Sequence, residues 1–188
     1  MQIIFFGLVA LVAVLLNLMT AQGFFNVSDR FFWKQTSNLL SKRQPIKLEI
    51  KPARISSSVE RVGIDKEGNM QAPSSAKIIS WYQFGALSGE KGNMVLSGHK
   101  DSTIGPGVFY TLGNVKPGDV ITVTAADKTV YTYLVNHSKE YKSEDLPVRE
   151  IFADQKKSKQ IFLITCAGSF DIFKKKYDKR VLVGGVAE

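Results

Sequence analysis

The amino-acid sequence predicts an all-β domain, a closed β-barrel of seven to eight strands with short helices, preceded by one N-terminal transmembrane helix. From Ile55 onward, short apolar or alternating runs are separated by Gly, Pro, Asp and Asn, as in all-β proteins. Before this region, residues 2–28 contain no charged side chain. Closure into a barrel is favoured because it removes exposed strand edges.

The apolar runs predict the position of each strand in the domain. Residues 116–119 form a Pro-Gly turn before one strand, and residues 126–128 form a tight hairpin tip between two alternating runs. Only residues 145–155 have a helical pattern. We predict strands at 58–64, 76–81, 94–98, 120–125, 130–136, 160–165 and 180–186.

Residues 1–25 are predicted to be a transmembrane signal anchor. Residues 3–19 are almost purely apolar, and a spanning helix needs about 20 apolar residues. A cleaved secretory signal is the competing interpretation, but it would begin with positive charge and end at a small-residue cleavage site. Loop charges alone do not place the domain outside the membrane. Residues 26–51 are predicted to be a linker, and residues 52–188 the barrel domain.

The net charge of +8 raises the question of a nucleic-acid partner. The basic residues are dispersed, however, and the densest run is the short stretch at 174–176. No helix-turn-helix, zinc-finger or RNA-binding motif accompanies it. We therefore predict no nucleic-acid partner, and a basic surface that faces an anionic membrane or cell wall is the simpler interpretation.

Cys166 is the only cysteine, so an intramolecular disulfide is excluded. His99 and His137 are the only histidines, and no CxxC or HExxH pairing occurs. The acidic residues at 144–150 have no calcium-ligand spacing. The sequence thus predicts no metal and no cofactor.

Three residues with useful chemistry lie at the ends of predicted strands. Cys166 follows the apolar run 161–165, and an inert buried thiol is the alternative interpretation. His99 and Arg180, taken singly, are more often structural. Together the three residues favour a nucleophile, a general acid and base, and a cation that stabilises an oxyanion. His137 has charged neighbours that suggest a solvated edge, so His99 is the better candidate.

Five motifs surround these residues in a fixed order along residues 52–187. They are LSGH ending at His99, GVFYTL at 107–112, KPGDVITV at 116–123, FLITC ending at Cys166, and YDKRVLV around Arg180. In order and spacing this set resembles the sortases, the cysteine transpeptidases of bacterial surfaces. GEKGNMVLSGH and TCAGSFD look most like class F, with classes D and E less close.

The resemblance implies that a Cys166 thiolate attacks a backbone carbonyl in an LPxTG-like sorting signal and forms a thioacyl enzyme. His99 would protonate the departing amine and deprotonate the incoming one. Arg180 would hold the carbonyl and stabilise the tetrahedral oxyanion. Thr165 would contact the substrate or the oxyanion, although its hydroxyl could equally cap the strand.

The resemblance also implies the partners and the location. The partners would be secreted proteins with an LPxTG-like signal and an amine from a cell-wall precursor or another surface protein. The protein would cross the cell membrane once, with its catalytic domain outside. Two alternatives stay open: a non-catalytic, membrane-tethered binding module, and a cysteine hydrolase that transfers the acyl group to water.

Overall fold

The computed structural model describes residues 42–153 and 158–188. The predicted membrane anchor, residues 1–25, and residues 26–41 of the predicted linker lie outside the described residues. Within the described ranges, no helix combines the length and the apolar character that crossing a membrane requires.

The strands of the described residues are numbered in chain order. They are β1 (Pro45–Ile50), β2 (Ile55–Val62), β3 (Ile79–Tyr82), β4 (Gly92–Ser97), β5 (Asp101–Ser102), β6 (Gly105–Pro106), β7 (Val120–Ala125), β8 (Val130–Lys142), β9 (Lys159–Asp171) and β10 (Lys176–Ala187). Eight of them close a barrel in the order β1-β2-β3-β4-β9-β10-β8-β7, and β5 pairs only with β6. The predicted closed all-β barrel is therefore confirmed.

The helices in the described ranges are short. An α-helix, α1, spans Val148–Phe152 inside the predicted helical segment 145–155, and 3-10 turns span Leu112–Asn114 and Ser143–Asp145. Two strand pairs are parallel, β2 with β3 and β4 with β9, and the other pairs are antiparallel. The parallel pairing of β4 with β9 brings the carboxyl ends of these two strands to the same end of the barrel.

Strand β1 lies inside the segment that the sequence analysis assigned to a linker, residues 26–51. Its six residues pair with β2 on one side and with β7 on the other, so they close the barrel. Leu48 and Ile50 point into the core, while Lys47 and Glu49 form an exposed ion pair at 3.1 Å. The part of the predicted linker from Pro45 to Ile50 therefore belongs to the barrel, and its pairing with distant strands leaves no signal in the mixed charged and aromatic composition of residues 26–51.

Alternating side chains divide the barrel strands into an inner and an outer face. In β9, Ile161, Leu163 and Thr165 are buried in the interior, and Phe162 and Ile164 point outward. The inner side chains of all eight strands form the main apolar core. The outer row of β9 remains available for a second layer.

That second layer is a small outer cluster in which α1 packs over β4, β9 and β10. Ile151 of α1 is buried against Val95 and Leu182, with Phe162 and Ile164 at the edge. The Asn93 side chain of β4 donates hydrogen bonds to the carbonyls of Glu150, Ile151 and Ala153 at 2.9, 3.1 and 3.3 Å. These bonds satisfy carbonyls at the end of α1 and hold the helix on the barrel.

Candidate active site

Cys166 lies on the outer face of β9, next in the row that contains Phe162 and Ile164. It is a free, half-buried thiol. Beyond Ala167, the pairing of β9 with β10 shifts by one residue, and Gly168 adopts a φ of +74°. Any side chain at Gly168 would meet the carboxylate of Asp178. This bulge bends β9 just beyond the thiol.

Arg180 is the residue of β10 directly opposite Cys166. Opposed residues of an antiparallel pair have Cβ atoms about 5 Å apart and share one face of the sheet. The Arg180 Nη1 donates to Ser143 Oγ at 3.0 Å and to the carbonyls of Tyr177 and Lys179 at 3.0 and 2.7 Å. Because these bonds all use Nη1, Nε and Nη2 are not engaged by the described part of the chain.

His99 is the second residue after β4, and β4 pairs with β9 up to the register of Ser97 with Ile164. Two hydrogen bonds continue this pairing: Gly98 N–H donates to the Ile164 carbonyl at 3.2 Å, and the Thr165 hydroxyl donates to the Gly98 carbonyl at 2.8 Å. If the register is continued by two residues, His99 lies beside Cys166. It is on the β4 side of β9, whereas Arg180 is on the β10 side.

The thiol lies among groups of both charges. Burial raises the pKa of the Cys166 thiol above its ordinary value, the Arg180 and Lys100 cations act against this rise, and the Asp101 carboxylate adds to it. Burial is the largest of these causes. It raises the pKa because removing water disfavours the thiolate more than it disfavours the neutral thiol. The resting site therefore holds mainly the neutral thiol at neutral pH.

A mainly apolar groove of about 600 Å³ lies on the outer face beside Arg180. Its floor contains Ser97 and Ile164, its walls are the β2–β3 connection and the segment around α1, and Arg180 lies at its edge. Ile64 and Val148, one on each wall, are about half exposed although both are apolar. An extended peptide with apolar side chains would cover them.

Comparison with known families decides the identity of this domain. The family model described as "Sortase domain" matches residues 48–188. The chain belongs to the sortase family. A search of curated protein sequences found no match.

Solved sortase structures share the fold. Sortase D5 transpeptidase from Clostridium perfringens aligns over 87% of this chain and 91% of its own, with a TM-score of 0.57 and 21% identity. Sortase A from Listeria monocytogenes aligns over 77% of this chain and 87% of its own, with a TM-score of 0.56 and 22% identity. Sortase C1 from Streptococcus agalactiae aligns over 76% of this chain, with a TM-score of 0.58 and 22% identity. The alignment covers 66% of the sortase C1 chain, just under two thirds of its length. These structures belong to several sortase classes.

Two residues weighed in the sequence analysis lie elsewhere in the sortase barrel. The Thr165 side chain points into the barrel and is 4% exposed, with its hydroxyl bonded to the strand that carries His99. His137 lies on β8 opposite Gly184, and its Nε2 is 2.9 Å from the Tyr141 hydroxyl. Thr165 therefore holds the end of β4 against β9 from inside the barrel, and His137 lies on β8.

Sequence reasoning missed several polar neighbours of the sortase site. Lys100 and Asp101 follow His99 directly, and Tyr177 and Ser143 hold Arg180. For Lys100, Asp101 and Tyr177, the only signal in the sequence was their closeness to His99 or Arg180. Ser143 had none, because it comes from the 3-10 turn after β8 and is distant in sequence from both residues. In the described ranges, no group of three or more His, Cys, Asp and Glu side chains has a geometry that would hold a metal ion.

The raised pKa of Cys166 predicts the pH dependence of its alkylation. Only the thiolate reacts, so the rate with iodoacetamide should reach half its plateau at a higher pH than for the cysteine of an unstructured, uncharged peptide in the same buffer. Arg180→Gln should move this midpoint further up, because it removes the cation that most favours the thiolate. A midpoint below that of the peptide cysteine would contradict the desolvated thiol.

Proposed function

We propose that this sortase is a cysteine transpeptidase that cleaves an LPxTG-like sorting signal and transfers the acyl fragment to an amine. One observation carries the proposal. Cys166 and Arg180 oppose each other on neighbouring strands, His99 follows the end of the strand on the other side of Cys166, and Arg180 lines a mainly apolar groove. A nucleophile, a cation and an imidazole are the groups that amide exchange through a thioester requires.

In the proposed first half-reaction, the Cys166 thiol gives its proton to His99, and the resulting thiolate attacks the carbonyl carbon of the scissile amide in the signal. The negative charge moves to the carbonyl oxygen, where the free N–H groups of Arg180 stabilise it. His99, as the imidazolium, gives a proton to the amide nitrogen as the C–N bond breaks. The amine leaves, and the acyl group remains on the sulfur as a thioester.

In the second half-reaction, an incoming amine attacks the thioester while His99 accepts its proton. The C–S bond breaks, and the leaving thiolate takes the proton back from the imidazolium, so the neutral thiol is restored and protons and charge balance over the cycle. No metal or organic cofactor enters these steps. Thr165 contributes to this scheme by holding the strand end before His99 rather than by contacting the oxyanion.

The sequence motifs support further parts of the proposal. We assign the domain to class F, and we place the protein as a single-pass protein of the cell membrane with its catalytic domain outside. Its partners would be secreted proteins that carry the signal, and an amine from a cell-wall precursor or another surface protein. Nucleic acid is not among the proposed partners.

A peptide assay tests the reaction. The full-length protein in detergent is incubated with a fluorogenic peptide that contains Leu-Pro-x-Thr-Gly, with and without an oligoglycine amine, and the products are identified by mass. We expect cleavage in both cases and the joined product when the amine is present. Release of the free acid alone would favour a hydrolase, and no cleavage or thioester at all would favour a binding module.

Gly107→Ala is expected to lower kcat for peptide cleavage by about tenfold or more, with a smaller change in KM. The methyl group would lie inside van der Waals contact of the His99 backbone carbonyl, so the His99 loop must move. That loop is fastened at this point, since Gly107 N–H donates to the Lys100 carbonyl at 2.7 Å.

Gly105→Ala is a useful comparison for Gly107→Ala. It lies in the same loop with open space around its Cα, although its φ of +129° adds backbone strain. Gly107→Ala should therefore be the slower variant in the cleavage assay. A Gly107→Ala variant as fast as the wild type would show that the contact with His99 does not matter.

A further inference from the structure

Tyr177 of β10 connects the two sides of the site. Its hydroxyl donates a 2.6 Å hydrogen bond to Asp101 Oδ2, in the loop that begins with His99. Its backbone carbonyl accepts hydrogen bonds at 3.0 Å from both Arg180 Nη1 and Ser143 Oγ. One residue thus contacts the loop on the β4 side of Cys166 and the guanidinium on the β10 side.

The Tyr177 ring is itself held in place from two directions. The Phe170 ring packs against it with the ring centres 5.1 Å apart, and the Lys100 ammonium lies 4.8 Å from its centre. Lys100 also donates a 3.2 Å hydrogen bond to the Gly168 carbonyl, in the bulge after Cys166. A cation over an aromatic face and a charged hydrogen bond both favour one arrangement of the loop.

We propose that Tyr177 is a positioning residue of this sortase, which holds the His99 loop through Asp101 and Arg180 through its carbonyl at fixed places beside Cys166. The inference rests on the proposed function, because it concerns the geometry of that reaction. Proximity contributes heavily to such chemistry, and a displacement of about 1 Å costs on the order of 10²-fold in rate.

The link, the hydrogen bond from the Tyr177 hydroxyl to Asp101, persists through the pH range in which the Cys166 thiol titrates. The hydrogen bond to Asp101 raises the pKa of Tyr177 to about 12, so the hydroxyl keeps its proton and continues to donate. The charged groups that face Cys166 are Arg180 on β10 and Lys100 and Asp101 in the loop, and His99 precedes them. Asp101 held near Cys166 keeps a negative charge beside the thiol.

Three variants of the full-length protein separate the link from the charge. Tyr177→Phe removes the hydroxyl and leaves the ring and the carbonyl. Asp101→Ala removes the acceptor and the charge, whereas Asp101→Asn removes the charge but can still accept the hydrogen bond from Tyr177. Tyr110→Phe is the matched control, since Tyr110 is exposed and makes no such link in the described residues.

Two readouts are measured for each variant: kcat and KM for peptide cleavage, and the pH midpoint of Cys166 alkylation. We expect Tyr177→Phe and Asp101→Ala to lower kcat about tenfold with KM changed less than twofold. Asp101→Asn should retain most of kcat. All three variants should lower the alkylation midpoint, because the carboxylate is removed or released from its place, and Tyr110→Phe should change neither readout.

Unchanged kcat and an unchanged midpoint in Tyr177→Phe would overturn the inference. So would an Asp101→Asn variant as slow as Asp101→Ala. If Tyr177→Phe lowers the melting temperature strongly, the Asp101→Ala and Asp101→Asn pair decides, since both leave the ring in place. The alkylation readout needs no peptide, so a wild-type protein that cleaves no sorting signal would refute the proposed function while the midpoints still test the link.

Discussion

Cys166→Ala is expected to abolish cleavage of the sorting-signal peptide, with a loss of about 10⁴-fold or more in kcat/KM. Every proposed step forms or breaks a bond to the Cys166 sulfur. The groove, Arg180 and His99 remain in the variant, but none of them supplies a replacement nucleophile. The measurement is initial rate against peptide concentration, with mass spectrometry of the intact protein for the thioester.

The variant should stay folded, because the thiol lies on the outer face of the barrel and outside the main core. Its melting temperature is therefore expected to lie close to that of the wild type. Cys166→Ser is the companion variant, since it keeps the size of the side chain but replaces the sulfur by a poorer nucleophile. A peptide adduct on Cys166→Ala, or cleavage above background, would show that the nucleophile is another residue.

Arg180→Gln should lower kcat for peptide cleavage by about 10²- to 10³-fold, the usual cost of removing one donor to a developing oxyanion. The amide keeps some hydrogen bonding to Ser143 and Tyr177 but carries no charge. Arg180→Lys should recover only part of the rate, because an ammonium keeps the charge without the planar arrangement of donors. KM should change less than kcat, since the charge on the carbonyl oxygen develops in the transition state.

Arg61→Gln is the control for this change, because Arg61 is an exposed arginine of β2. It alters the net charge by the same amount and should leave the rate within about twofold of wild type. Alkylation of Cys166 gives an independent check, since Arg180→Gln should raise the pH midpoint. Full activity in Arg180→Gln would remove Arg180 from the oxyanion site.

The local sequence pattern was enough to predict the barrel strands in which apolar residues alternate regularly or form a continuous run. The run before Cys166 and the two runs that flank 126–128 form β9, β7 and β8, and the hairpin tip lies where Asp127 accepts the Thr129 N–H at 2.9 Å. Several strands are longer than predicted, above all β8, which continues through charged residues to Lys142. Those residues are paired with β10, and pairing with a distant strand leaves no local signal.

By itself the sequence determined the closed all-β fold, the residue types at the strand ends and the motifs that place the chain among the sortases. Apolar alternation and turn residues act over a few positions, so they can be recognised without the rest of the chain. Tertiary structure alone decided that Arg180 is directly opposite Cys166, that Thr165 points inward, and that Tyr177 contacts Asp101. Strand register and loop docking depend on contacts between residues far apart in the chain, which no local pattern encodes.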